Sequence, residues 1–103
     1  VLLTELLPLL RKSSIAELVL SQCDITAKGA ERLSELIELL PLDVLDLSSN
    51  RLETRGVAAI ATALGRGTKR SLEQLKLSDN LLGPGAAKAI SELLSQGFSI
   101  GLL

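Results

Sequence analysis

Histidine, tryptophan, tyrosine and methionine are absent from this chain, and Cys23 and Phe98 are its single cysteine and single aromatic residue. Without histidine no Ser-His or Cys-His nucleophilic pair can be assembled, nor a histidine-ligated metal site. A lone cysteine cannot close an internal disulfide, which fits a reducing compartment. With so little aromatic volume, the interior must be built from Leu, Ile, Val and Ala, side chains of similar size that suit thin stacked layers. The net charge of −1 provides no overall field for nucleic acid or an anionic membrane. No apolar run approaches the ~18 residues needed to span a bilayer. The opening Val1-Leu2-Leu3 is too short for a signal peptide, lacks a basic start and is followed by Glu5. These absences predict a cytoplasmic protein, with the nucleus as the alternative, that engages neither membrane nor nucleic acid. At 103 residues it forms one folding unit at most.

What the chain does have is repetition. Ile15-x-x-Leu18-x-Leu20-x-x-Cys23-x-Ile25 recurs as Leu42-x-x-Leu45-x-Leu47-x-x-Asn50-x-Leu52 and again as Leu72-x-x-Leu75-x-Leu77-x-x-Asn80-x-Leu82, with offsets of 27 and 30 residues. A fixed period in that range means a solenoid rather than a closed globule, and a binding surface rather than a catalytic pocket.

Within one repeat, Leu45 and Leu47 alternate with Asp46 and Ser48, the signature of a short half-buried strand. Ser49-Asn50-Arg51 turns the chain and Leu52 tucks back inward. After Gly56, the residues Val57, Ile60, Ala63 and Leu64 fall at helical spacing, and Gly65-Arg66-Gly67 ends the helix. In the neighbouring copies Gly29-Ala30 leads into a helix with Leu33, Leu36, Ile37 and Leu40 inward, stopped by Pro41. Gly85-Ala86-Ala87 leads into one with Ala89, Ile90, Leu93 and Leu94 inward, stopped near Gly97. Successive strands separated by a helix must be parallel, with the helices outside a curved sheet. Glycine and alanine at the helix starts permit close approach to the next layer. Asn50 and Asn80 stand where the backbone leaves the ladder. There an inward amide can satisfy loop groups that would otherwise cost ~1–3 kcal/mol each when buried. Cys23 fills the same slot in the first copy with a small, readily buried thiol.

These residues resemble leucine-rich repeats, and specifically the ribonuclease-inhibitor-like subfamily: L-x-x-L-x-L-x-x-N/C-x-L, then a glycine, a helix and a period near 28 residues. The resemblance covers nearly the whole chain. It implies an α/β fold, a right-handed solenoid with a curved parallel sheet on the concave side and helices on the convex side. It also implies a non-catalytic protein–protein interaction module, a segment of a larger intracellular protein, with no cofactor. Two alternatives stay open: a GTPase-activating protein of the Ran-activator type, with Arg51 or Arg55 at the GTPase, and a structural spacer between other domains.

The expected organisation is a helix of a preceding partial repeat over 1–14, repeats over 15–41, 42–71 and 72–99, and the start of a further strand at 100–103. Ile100 and Leu103 lie 28 residues beyond Leu72 and Leu75. Neither end is polar as a capping repeat would be, so the pattern predicts a fragment of a longer array whose uncapped ends self-associate.

The candidate binding surface is the set of outward strand positions: Glu17, Val19 and Ser21; Val44, Asp46 and Ser48; Gln74, Lys76 and Ser78. Cys23, Asn50 and Asn80 form the candidate structural ladder. With Asp43 and Glu73 flanking, acids outnumber bases on this side, which predicts a polar, somewhat basic protein partner. The basic loop Arg66-Gly67-Thr68-Lys69-Arg70 reads as a solvated connection, with a docking patch or localisation signal as the alternative. Gly83-Pro84-Gly85 and Gly65-Arg66-Gly67 lack phosphate-loop spacing. No catalytic or metal-binding residue is expected.

Overall fold

Leucines at matching positions of successive windings share one apolar layer, and that sharing fixes the architecture. The computed structural model describes residues 15–67 and 69–103. Within them the strands β1 (Glu17–Val19), β2 (Val44–Asp46), β3 (Ser71–Lys76) and β4 (Ser99–Leu102) alternate with helices α1 (Ala27–Leu39), α2 (Glu53–Arg66) and α3 (Pro84–Ser95). The strands form one parallel sheet in the order β1-β2-β3-β4. Leu18 pairs with Leu45 and Leu45 with Leu75. The chain is therefore an α/β solenoid of stacked strand–turn–helix coils, as its periodicity predicts. The expected helix at 1–14 lies outside the described residues.

The core is a single cluster running between sheet and helices. Leu45, Leu47, Leu52, Leu75 and Val57 are fully buried, with Leu33, Leu36, Ile37, Ile60, Leu64, Leu72 and Leu93 close behind. Phe98 is also buried. The Arg70 guanidinium lies 6.0 Å from its ring centroid and donates to the carbonyls of Gly65 (2.8 Å) and Gln96 (2.9 Å). It thus ties the C-terminal ends of α2 and α3 together, where unpaired carbonyls and the helix dipole favour a cation.

The helices begin one to three residues before the glycines that the sequence places at their starts. Thr26 caps α1, its hydroxyl accepting from the Gly29 N–H at 3.2 Å, and Pro84 opens α3, so the glycines sit inside the first turns. Gly56 shows why a small residue is needed there. A Cβ would come within 3.1 Å of Leu52 Cβ, 3.2 Å of Ala30 Cβ and 3.3 Å of Ala27 Cα, so α2 lies on α1 with no room for a side chain. Leu94 was expected inward but is 44% exposed. It faces the open side of the third coil, which no further helix covers among the described residues.

The coils are joined by side-chain amides as well as by the sheet. Asn50 Oδ1 accepts from the N–H groups of Cys23 (2.9 Å) and Ile25 (3.0 Å). Its Nδ2 donates to the carbonyls of Leu20, Leu47 and Ser48. Asn80 Oδ1 accepts from the Leu52 N–H (3.2 Å), and its Nδ2 donates to Leu47, Leu77 and Ser78. Each buried amide serves its own turn and the coil before it. Cys23 departs from that role: its thiol is exposed and donates locally to the Ser21 carbonyl at 3.4 Å. The physical reason is position, since among the described residues β1 has a sheet neighbour on one side only.

The residue before each ladder position, Gln22, Ser49 or Asp79, takes a left-handed φ of 55°, 58° or 60°. That local cost is repeated in all three coils, and in the second and third it turns the asparagine side chain inward.

Replacing Asn50 by alanine should lower stability by at least about 2 kcal/mol, because several buried backbone groups lose their partner at once. Ser48→Ala should cost less. Urea midpoints of the two variants provide the check, and coincident midpoints would contradict the ladder's role.

Candidate functional site: the concave strand face

On the open face of the sheet the outward side chains fall into rows. Pairing aligns Glu17 with Val44 and Gln74, and Val19 with Asp46 and Lys76. Backbone bonds from Leu20 to Asp46, Gln22 to Ser48, Leu47 to Lys76 and Ser49 to Ser78 carry the same register one row further, through Ser21, Ser48 and Ser78. All nine expected positions therefore lie on one surface. Glu17, Val19, Lys76 and Ser78 are exposed, and Ser21, Val44, Asp46, Ser48 and Gln74 are half-buried. Leu102 extends the first row, being paired with Gln74 and 60% exposed.

Asp46 is the most constrained member. Its Oδ1 accepts from the Ser48 hydroxyl (2.7 Å) and the Ser48 N–H (3.0 Å). These two bonds, the hydroxyl's first, hold the carboxyl below its ordinary 3.8. Partial burial pulls the other way, and the charge of Lys76 on the adjoining strand adds a smaller lowering.

The flanking charges are arranged differently from expectation. Lys69, assigned from sequence to the distant loop, forms an ion pair with Asp43. Arg70 is committed to the helix ends. Of the expected basic loop, Arg66 remains as an exposed cation without an ion pair among the described residues, and Thr68 lies outside them. The strand face keeps Glu17, Asp46 and Glu73 against Lys76. Asp43 and Asp46 do not form a carboxylate pair, since each has its own partner. Arg51 pairs with Asp24 at 3.1 Å and Arg55 with Glu31 at 2.5 Å.

Arg70's clamp was not legible in the sequence, where it reads as one of several loop cations. Its position just before a strand, near the single aromatic residue in the next repeat, is the only signal that was present.

A curved parallel sheet with a periodic outward face, backed by helices and pinned by an asparagine ladder, defines an α/β repeat solenoid. The family model for the Leucine Rich repeat matches residues 12–34, 41–61 and 68–91. The chain belongs to the leucine-rich repeat family, whose members typically serve as protein–protein interaction modules. It is also similar to Tonsoku-like protein of Bos taurus, at 42% identity over 66 residues; the match covers 63% of this chain and 5% of that protein.

Because the folded-state value of Asp46 lies below the unfolded one, its contribution to stability is present above pH 3.8 and is lost as pH falls through the folded value. Ser48→Ala should move the Asp46 midpoint up towards 3.8. Carboxyl chemical shifts through an acid titration test this; a midpoint unchanged by the substitution would remove Ser48 as the cause.

Proposed function

We propose that the chain is a non-catalytic protein-interaction segment, of the ribonuclease-inhibitor-like type, working inside a longer intracellular protein. The observation that carries this reading is the in-register grid from Glu17 to Ser78, which presents alternating polar side chains on a rigid backbone. The subfamily reading is supported by the 27- and 30-residue spacings, by Cys or Asn at the ladder position and by a helix of 12 to 14 residues in every coil. The match to a short stretch of a much longer relative supports the setting within a longer chain. The exposed free thiol of Cys23 suits a reducing compartment.

The partner is a protein with a polar, somewhat basic contact surface, since Glu17, Asp46 and Glu73 outweigh Lys76. The three rows over residues 17–21, 44–48 and 74–78, about five residues each and ~4.8 Å apart, provide roughly 250 Å². A standard interface uses about 800 Å² per side, so this grid supplies one part of a contact. A GTPase-activating role draws no support from the geometry, because Arg51 and Arg55 are both held in ion pairs.

The test is a bait comparison. The triple variant Glu17→Lys, Asp46→Lys, Glu73→Lys should lose a set of captured proteins that the helix-side variant Arg32→Glu, Lys88→Glu retains. An identical captured set from both baits would contradict a concave-face role.

A further inference from the structure

We propose that the outward side chains of β1 and β2 form a seat for one lysine side chain of a protein partner, with Val19 and Val44 as its apolar floor and Glu17 and Asp46 as its anions, a contact that rests on the concave-face reading given above. Pairing sets Glu17 beside Val44 and Val19 beside Asp46. The four outward positions of this strand pair therefore alternate like a checkerboard, each valine beside an acid both along its strand and across to the next. They face outward by register, whatever adjoins the sheet at either side. Strands ~4.8 Å apart, rising ~3.3 Å per residue, put the two acids roughly 8 Å from each other across the diagonal. The neighbouring strand pair lacks this arrangement, since Val44, Asp46, Gln74 and Lys76 set a base against the acid.

Both anions are available. Glu17 is exposed and Asp46 half-buried, and neither has an ion pair among the described residues. Asp46 is the fixed one. Its Oδ1 accepts from the Ser48 hydroxyl at 2.7 Å and from the Ser48 N–H at 3.0 Å, which uses both lone pairs of that oxygen. Oδ2 receives no donor among the described residues. An arriving cation thus meets a single carboxylate oxygen held in one orientation.

That geometry selects the cation. A guanidinium binds a carboxylate best as a fork on both oxygens, and here one oxygen is already taken. An ammonium is a compact charge that needs only one. The methylenes of a lysine also suit the valine floor, because such a stem lies along apolar surface while its charge reaches an anion. Lys76 stands in the same row on the far side of Asp46, where it repels a second base. The seat therefore takes a lysine whose neighbour towards β3 is neutral or acidic, and refuses a run of basic residues.

The probe is the tripeptide acetyl-Gly-Lys-Gly-amide, titrated into the full chain beside its arginine and norleucine counterparts and followed by NMR. The lysine peptide should shift the methyl resonances of Val19 and Val44 together with the Asp46 carboxyl, and its methylenes should give nuclear Overhauser effects to both valines. The arginine peptide should bind at least about 3-fold more weakly. Asp46→Asn keeps an oxygen that accepts from Ser48, so the turn is preserved, and it should remove the advantage of lysine over norleucine. Ser48→Ala frees a lone pair of Oδ1 and should narrow the preference for lysine over arginine. Absent shifts at Val19, Val44 and Asp46, equal affinity of the lysine and arginine peptides, or larger shifts at Asp43 and Glu73 would overturn the proposal. If that happens while the charge-reversed bait still loses its captured proteins, the concave face stays a contact surface and only the lysine seat is withdrawn. If the captured sets are identical as well, the face itself is withdrawn.

Discussion

The side-chain amide that reaches back one coil is the interaction on which the rest depends. A parallel sheet of three- to six-residue strands leaves most of each winding outside its ladder. The turn after every strand must then place unpaired N–H and carbonyl groups near an apolar core. An asparagine solves this because it offers one acceptor oxygen and two donor hydrogens from a single small side chain. Asn50 and Asn80 use them across two windings at once, so the amides set the spacing between coils while the leucines provide the burial. The left-handed residues before them are the local cost of aiming the amides inward.

Function follows from that division of labour. The inward positions of the strands are taken by leucine and the turns by the ladder, which leaves the outward strand positions free of structural duty. Asp46 and Ser48 show how such positions can be preorganised without being buried: the carboxylate is held by its neighbour's hydroxyl and amide, and so presents a fixed charge. On the function proposed above, this periodic and modestly acidic grid is the part that would meet a partner's polar surface. Its small area means that, on that reading, a single stretch of this length would supply part of a contact rather than the whole.

Much of this was legible in the sequence because the repeat makes each position testify three times. The strand leucines, the helix faces over Leu33 to Leu40 and Val57 to Leu64, and the buried asparagines all follow from periodicity alone. What was not legible depends on neighbours instead of on pattern. Cys23 shares its repeat position with the buried Asn50 and Asn80, yet it and Leu94 face the two open sides of the described array and are exposed. Lys69 and Arg70 look like loop charges, but their partners Asp43, Gly65 and Gln96 lie 5 to 26 residues away and are brought close by coil stacking. Helix starts were displaced because Thr26 and Pro84 define the first turns, whereas the glycines answer to packing between helices.

The most direct test of the amide-linked stack is amide hydrogen exchange at two equivalent positions. Ile25 and Leu82 occupy the same place in the first and third coils, and neither is fully buried. Ile25 has Asn50 Oδ1 as its acceptor, whereas Leu82 has none among the described residues. The stack predicts that the Ile25 amide exchanges at least about 10-fold more slowly than that of Leu82, since exchange then requires the first coil to open. Equal rates at the two positions would show that the asparagine does not bind the coils together.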